Sequence, residues 1–139
     1  MNTQPPEIVR VRDVMKIGVD IVNGMTTVAE AMAEMRHPET RTLIVDKRHD
    51  DDEYGVVMFR DIARDVLARG RAPERVNVYE IMSKPVIAVE PRMDVRYCTR
   101  LFDRFGISRA PVIEDGRIIG LVSYTDIVVK SFRIGPKAD

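Results

Sequence analysis

The chain predicts an α+β fold of two similar halves, each running strand, helix, strand, strand, helix, packed through their sheets with pseudo-two-fold symmetry. Three observations carry this. Gly55-Val56-Val57-Met58-Phe59-Arg60-Asp61 returns 65 residues later as Gly120-Leu121-Val122-Ser123-Tyr124-Thr125-Asp126, keeping the Gly, the second Val and the Asp. Val11-Arg12-Asp13-Val14-Met15 returns 67 residues later as Val78-Tyr79-Glu80-Ile81-Met82. Between these pairs, strand-like runs and helix-like periods follow in the same order in both halves.

The elements follow from the residues. Residues 1–7, with Pro5-Pro6, read as a tail, as do residues 134–139. Val19-Asp20-Ile21-Val22 and Val86-Ile87-Ala88-Val89 read as the first strand of each half. Thr27 and Asp94 are suited to cap the helices that follow, and Thr27 with Glu30 has capping-box spacing. Val28, Ala31, Met32 and Met35 fall on one helical face, as do Val95, Cys98, Phe102 and Phe105; both sets are expected in the core. Thr42-Leu43-Ile44-Val45 and Ala110-Pro111-Val112-Ile113 are the second strands. The second hairpin turns at Asp115-Gly116, a strong tight-turn signal, and the first at a longer acidic loop, residues 47–53. Final helices are expected at 61–69, stopped by Gly70, and at 126–132. The repeats span 8–70 and 78–133, joined by 71–77. Neither half buries enough apolar surface to stand alone.

Composition narrows function. The 139 residues carry no net charge, so bulk electrostatics does not point to nucleic acid or an anionic membrane. There is no bilayer-length apolar run and no charged-then-apolar leader. One Cys excludes an internal disulfide and fits a reducing compartment, so a cytoplasmic location is expected.

The ordered recurrence of V-R-D-V-M and V-Y-E-I-M, with G-V-V-M-F-R-D and G-L-V-S-Y-T-D, resembles a tandem pair of cystathionine-β-synthase (CBS) domains, a Bateman module, over about residues 8–132. The resemblance implies a regulatory ligand-binding module rather than an enzyme. It implies adenine nucleotides such as AMP or ATP, or S-adenosylmethionine, as ligands in clefts between the repeats, with Mg as a possible companion. It also implies a homodimer. A chain of this length leaves no room for a fused effector, so the output is expected to pass to a separate partner protein.

Two motifs of that family occur in the second half: Ile107-Ser108-Arg109-Ala110-Pro111 and the stretch from Gly120 to Asp126. One carboxylate can accept from both hydroxyls of a ribose, and Asp126 is the candidate. The Ser123 hydroxyl and the amides opening the next helix, around Thr125, suit a phosphate. Gly120 allows close backbone approach. Val86, Ala88, Ala110 and Pro111 are expected as walls for a flat base, and Arg109 as a group that reaches a phosphate or a second subunit. Helix capping alone also selects Ser and Asp at these places. The first half departs from the motif, with Met58 in the hydroxyl position and no Pro in the strand; Asp61, Arg60 and Ile21 mark a weaker second cleft.

Other constellations carry less. Cys98 on an apolar helical face reads as a structural thiol. His37 and His49 lack ligand spacing. The acidic run 50–53 lacks the Gly and alternating carboxylates of a calcium loop, so no metal site is expected. No phosphate loop, dinucleotide fingerprint or hydrolase elbow is present. The competing reading is a dimerisation or docking module that works without a ligand.

Overall fold

The computed structural model describes residues 8–134. The expected tails lie outside the described residues, apart from Ile134, which ends the last helix. In chain order the elements are α1 (Val11–Val14), β1 (Asp20–Val22), α2 (Val28–Glu34), β2 (Thr42–Val45), β3 (Gly55–Met58), α3 (Phe59–Ile62), α4 (Val95–Phe105), β4 (Arg109–Glu114), β5 (Arg117–Ser123) and α5 (Tyr124–Ile134). They form two compact units. The central unit is Gly18–Val86; the split unit joins the described residues up to Ile17 with those from Ile87 onward.

In the central unit, β1 lies parallel to β2 with Asp20 opposite Leu43, and β2 lies antiparallel to β3 with Leu43 opposite Val57. The Thr27 hydroxyl caps α2 by accepting from the Glu30 amide at 3.1 Å. Val28 and Ala31 pack with Leu43, Val57 and Val66, and Met35 joins them at the margin. Met32, expected in the core, is 38% exposed because it lies off the seam formed by 28, 31 and 35. Helix α3 begins two residues before the expected start and continues as a π-helical turn, Ala63–Leu67, with Gly70 in the left-handed conformation beyond it.

In the split unit, β4 and β5 form a hairpin with Arg109 opposite Ser123 and Ala110 opposite Val122. Asp115 and Gly116 turn it with positive φ at both positions, as Asp-Gly predicts. Helix α4 starts at the Asp94 cap, whose carboxylate accepts from the Arg96 amide at 2.9 Å, and stops at Gly106 in the left-handed conformation. Val95, Cys98 and Phe102 are buried, but Phe105, expected with them, is the final residue of the helix and 55% exposed. Helix α5 begins at Tyr124 rather than at Asp126.

The strand expected over residues 86–89 does not form. Only Val89 bridges β4, its N–H donating to the Pro111 carbonyl at 3.0 Å and its own carbonyl accepting from Ile113 at 2.9 Å. Extending this parallel ladder backward to Ile87 needs an N–H at position 111, which proline lacks. The corresponding position in the central unit is Ile44, and β1 there keeps three residues in register.

The opening segments are exchanged between the halves. Val11 and Val14, from the start of the first repeat, are fully buried with Phe102, Val112 and Val122 of the second. Val78 and Ile81, from the start of the second, pack with Val28, Leu43 and Val57 of the first. The backbone pairings match: Lys16 pairs with Leu121, and Ser83 with Val56. Sequence repeats and compact units therefore have different boundaries.

Candidate ligand site

The sequence of the split unit builds a buried polar turn where β5 runs into α5. Ser123 is the last residue of the strand, and Asp126 stands in the first turn of the helix. Asp126 Oδ2 accepts from the Ser123 hydroxyl at 2.9 Å and from the Ser123 amide at 3.2 Å, while the Asp126 amide donates back to Ser123 Oγ at 3.2 Å. This is a reciprocal cap, so Ser123 and Asp126 do what capping alone requires. The other carboxylate oxygen, Oδ1, is 3.2 Å from Lys16 Nζ. Asp126 is 5% exposed and Ser123 7%.

The two sequence motifs meet here. Arg109 lies opposite Ser123, and the Tyr124 amide donates to the Ser108 carbonyl at 3.0 Å. Ile107 and Arg109 are half-buried and Thr125 is exposed. Pro111 points to the same face of β4 as Arg109, whereas Ala110, expected as a wall, points to the opposite face and belongs to the core with Val112. Ala88 is half-buried in this unit, and Val86 is the last residue of the central unit. Gly120 has a role the sequence did not show: a Cβ there would stand 2.6 Å from the Lys16 carbonyl oxygen and 2.9 Å from Met15 Sδ. Its bareness admits the opening segment of the chain.

Lys16 is the site residue that sequence reasoning missed. The available signal was a Lys directly after the repeated Met, where the other copy has Ser83. Its contact with Asp126 spans most of the chain, and no local pattern announces it.

The corresponding turn of the central unit is chemically different. Asp61 is buried and caps the Met58 amide at 2.8 Å, but its second oxygen is held by Arg64 of the same helix at 3.0 Å. Arg64 also holds Asp65 and keeps that carboxylate below its usual range. Arg60 and Ile21 are exposed. Ile21 lines a cavity of about 470 Å³ with Val19, Asp20 and Met35. Two further cavities occupy corresponding places in the two units: about 530 Å³ beside Arg12 and Met15, and about 460 Å³ beside Tyr79 and Met82. The 123–126 turn lines none of these three.

Several charged groups elsewhere among the described residues have structural partners. In the acidic loop, the Arg48 side chain, Lys84 and the Arg48 amide hold the Asp52 carboxylate far below the ordinary range. Arg96 lowers the Asp94 carboxyl. Burial pushes the Cys98 thiol up to about 11, which keeps it protonated and poorly nucleophilic at neutral pH. Among the described residues, no three His, Cys, Asp or Glu side chains stand together as metal ligands, and no helix is long and apolar enough to cross a membrane.

Comparisons with known proteins agree with this architecture. A CBS domain model matches residues 78–132. A hexameric CBS-CP12 protein from bloom-forming cyanobacteria is 40% identical, with a TM-score of 0.86 over 96% of this chain and 78% of its own. An uncharacterized protein of Methanopyrus kandleri is 34% identical over 113 residues; the chain spans 57% of that relative's length, and the match covers 78% of the chain. The CBS domain pair of protein MJ0100, solved with 5′-methylthioadenosine and S-adenosyl-L-methionine, has a TM-score of 0.74 over 88% of this chain and 94% of its own, at 24% identity, a likeness of fold alone. With a relative this similar along most of both chains, the protein belongs to the CBS-domain family.

Proposed function

We propose that the chain is a regulatory module that binds an adenine nucleotide or adenosyl compound at the 123–126 turn and passes the bound state to a separate partner protein. The observation that carries this is the buried Asp126 carboxylate beside a hydroxyl and an ammonium, next to the half-buried start of β4. Asp126 accepts from the ribose hydroxyls, Thr125 at the start of α5 serves a phosphate, joined by the Ser123 hydroxyl when it turns away from Asp126, and Ile107, Arg109, Pro111 and Ala88 surround the ligand. In the central unit Asp61, Arg60 and Ile21 form the weaker site, since Met58 stands where Ser123 brings a hydroxyl and Ser83 where Lys16 brings an ammonium. Ligand transmits a signal by binding two states with different affinity. Catalysis is not part of this reading, and the location is cytoplasmic.

Self-association belongs to the same proposal. Tyr97 and Phe105 recur at helical spacing on α4, and Val128 and Phe132 on α5, all exposed. A second copy of the chain would cover them; sedimentation should find a dimer or a multiple of it, shifted toward monomer by Phe105→Glu.

The test of ligand binding is a thermal-melt screen with AMP, ADP, ATP and S-adenosylmethionine, with and without Mg²⁺. A ligand at ~100 times its dissociation constant adds ~2.7 kcal/mol, which raises Tm by several degrees in a domain this size. Asp126→Ala should abolish the shift. The reciprocal cap favours a second reading, because Asp126 is already satisfied inside the fold: a ligand-independent docking module. A flat screen, with partner capture unchanged by Asp126→Ala, would select it.

A further inference from the structure

Lys16 is held at the site by more than its ion pair. Its amide donates to the Leu121 carbonyl at 2.8 Å, and its carbonyl accepts from the Leu121 amide at 2.8 Å. Lys130 Nζ pins the turn before it by donating to the Val14 carbonyl at 2.9 Å. The Lys16 side chain therefore starts from a fixed point beside the end of β5. Asp126 is 5% exposed and Lys16 35%, so the carboxylate is shielded while the ammonium meets solvent.

The central unit lacks this arrangement. Ser83 stands where Lys16 stands and makes the same two backbone bonds with Val56, each at 2.9 Å, but brings no charge. Asp61 takes its cation from its own helix instead. A cation delivered by the exchanged opening segment thus distinguishes one turn from the other.

We propose that Lys16 sets the ligand class at the 123–126 turn, selecting a nucleotide with an anionic phosphate over an uncharged nucleoside or a sulfonium-bearing adenosyl compound. This rests on the reading that the turn binds an adenosyl ligand. A ribose hydroxyl donating to Asp126 Oδ1 shares that oxygen with Lys16 Nζ, so ligand and ammonium meet at one atom. An ammonium has three donors, and the ion pair to Asp126 uses one of them. A phosphate on the same ligand accepts from the others and gains a charge-assisted bond. A sulfonium near the same ammonium meets like charge.

Calorimetric titration of the full chain with AMP, ATP, adenosine and S-adenosylmethionine tests this, using wild type, Lys16→Met, Lys16→Gln and Lys16→Arg below all their melting temperatures. Wild type should bind AMP ~10-fold or more tightly than adenosine, as expected for a hydrogen bond to a charged group. Lys16→Met and Lys16→Gln should close that gap by weakening AMP and not adenosine, and Lys16→Arg should keep it. A gap that survives in both neutral variants, or S-adenosylmethionine binding as tightly as AMP to wild type, overturns the role of Lys16 and leaves the turn a ligand site. Wild type that binds none of the four overturns the ligand reading, and this inference with it.

Discussion

Three single residues show how position decides chemistry. Cys98 is fully buried, and its thiol is raised to about 11. A group whose folded pKa exceeds its unfolded value gives stability that is complete below the unfolded pKa and is lost as pH rises through the folded one. Stability should therefore fall between about pH 9 and 11, by on the order of 2 kcal/mol. Chemical denaturation across that range should show the loss in wild type and a smaller slope in Cys98→Ala. Gly120 and Gly55 are the second and third cases. An added methyl at Gly120 strikes a backbone carbonyl at 2.6 Å, whereas at Gly55 its nearest neighbour is the flexible sulfur end of Met82 at the same distance. Gly120→Ala should cost roughly 1–3 kcal/mol and Gly55→Ala less, read from urea unfolding. Sequence marked both glycines but could not say what approaches them, because Lys16 and Met82 arrive from the opposite half's opening segment.

At the scale of the element, local signals were legible where the stabilising contact is local. Asp94 and Gly106 bound α4 as their chemistry requires, and Asp115-Gly116 turns the hairpin. Asp94→Ala removes the cap bond to the Arg96 amide and should cost ~1 kcal/mol, seen as a lower Tm. Helices α3 and α5 start two residues before the positions that the sequence predicts, since the repeated Asp is not the first capping residue. It sits inside the first turn and reaches back to the amide before the helix, Met58 in one case and Ser123 in the other. The missing strand at 86–89 has a different cause. Its sequence has the right apolar character, but a strand needs a partner with donors, and Pro111 withholds one. The same proline belongs to the motif that marks the candidate site, so one residue both marks that turn and removes a predicted element beside it.

Over the whole molecule, the two repeats were legible and the way they complete each other was not. A repeat is found by comparing segments, whereas a compact unit is defined by which side chains exclude water together. Val11 and Val14 belong to the first repeat by sequence and to the core of the split unit by burial. That has a measurable consequence for where a mutation is felt. Val14→Ala removes two buried methyl groups from a site enclosed by Phe102, Val112 and Val122, with a cost of about 2 kcal/mol. If repeats were the folding units, the lost protection against hydrogen exchange would centre on β1 to β3. The exchanged packing requires instead that amides of β4 and β5 lose protection, although they lie about 100 residues away in sequence. Val78→Ala should do the reverse, weakening β2 and β3, because Val78 is fully buried against Leu43 and Val57. Exchange changes confined to each mutation's own repeat would contradict this. The crossed pattern would also explain how Lys16, at the start of the chain, comes to face Asp126 near its end.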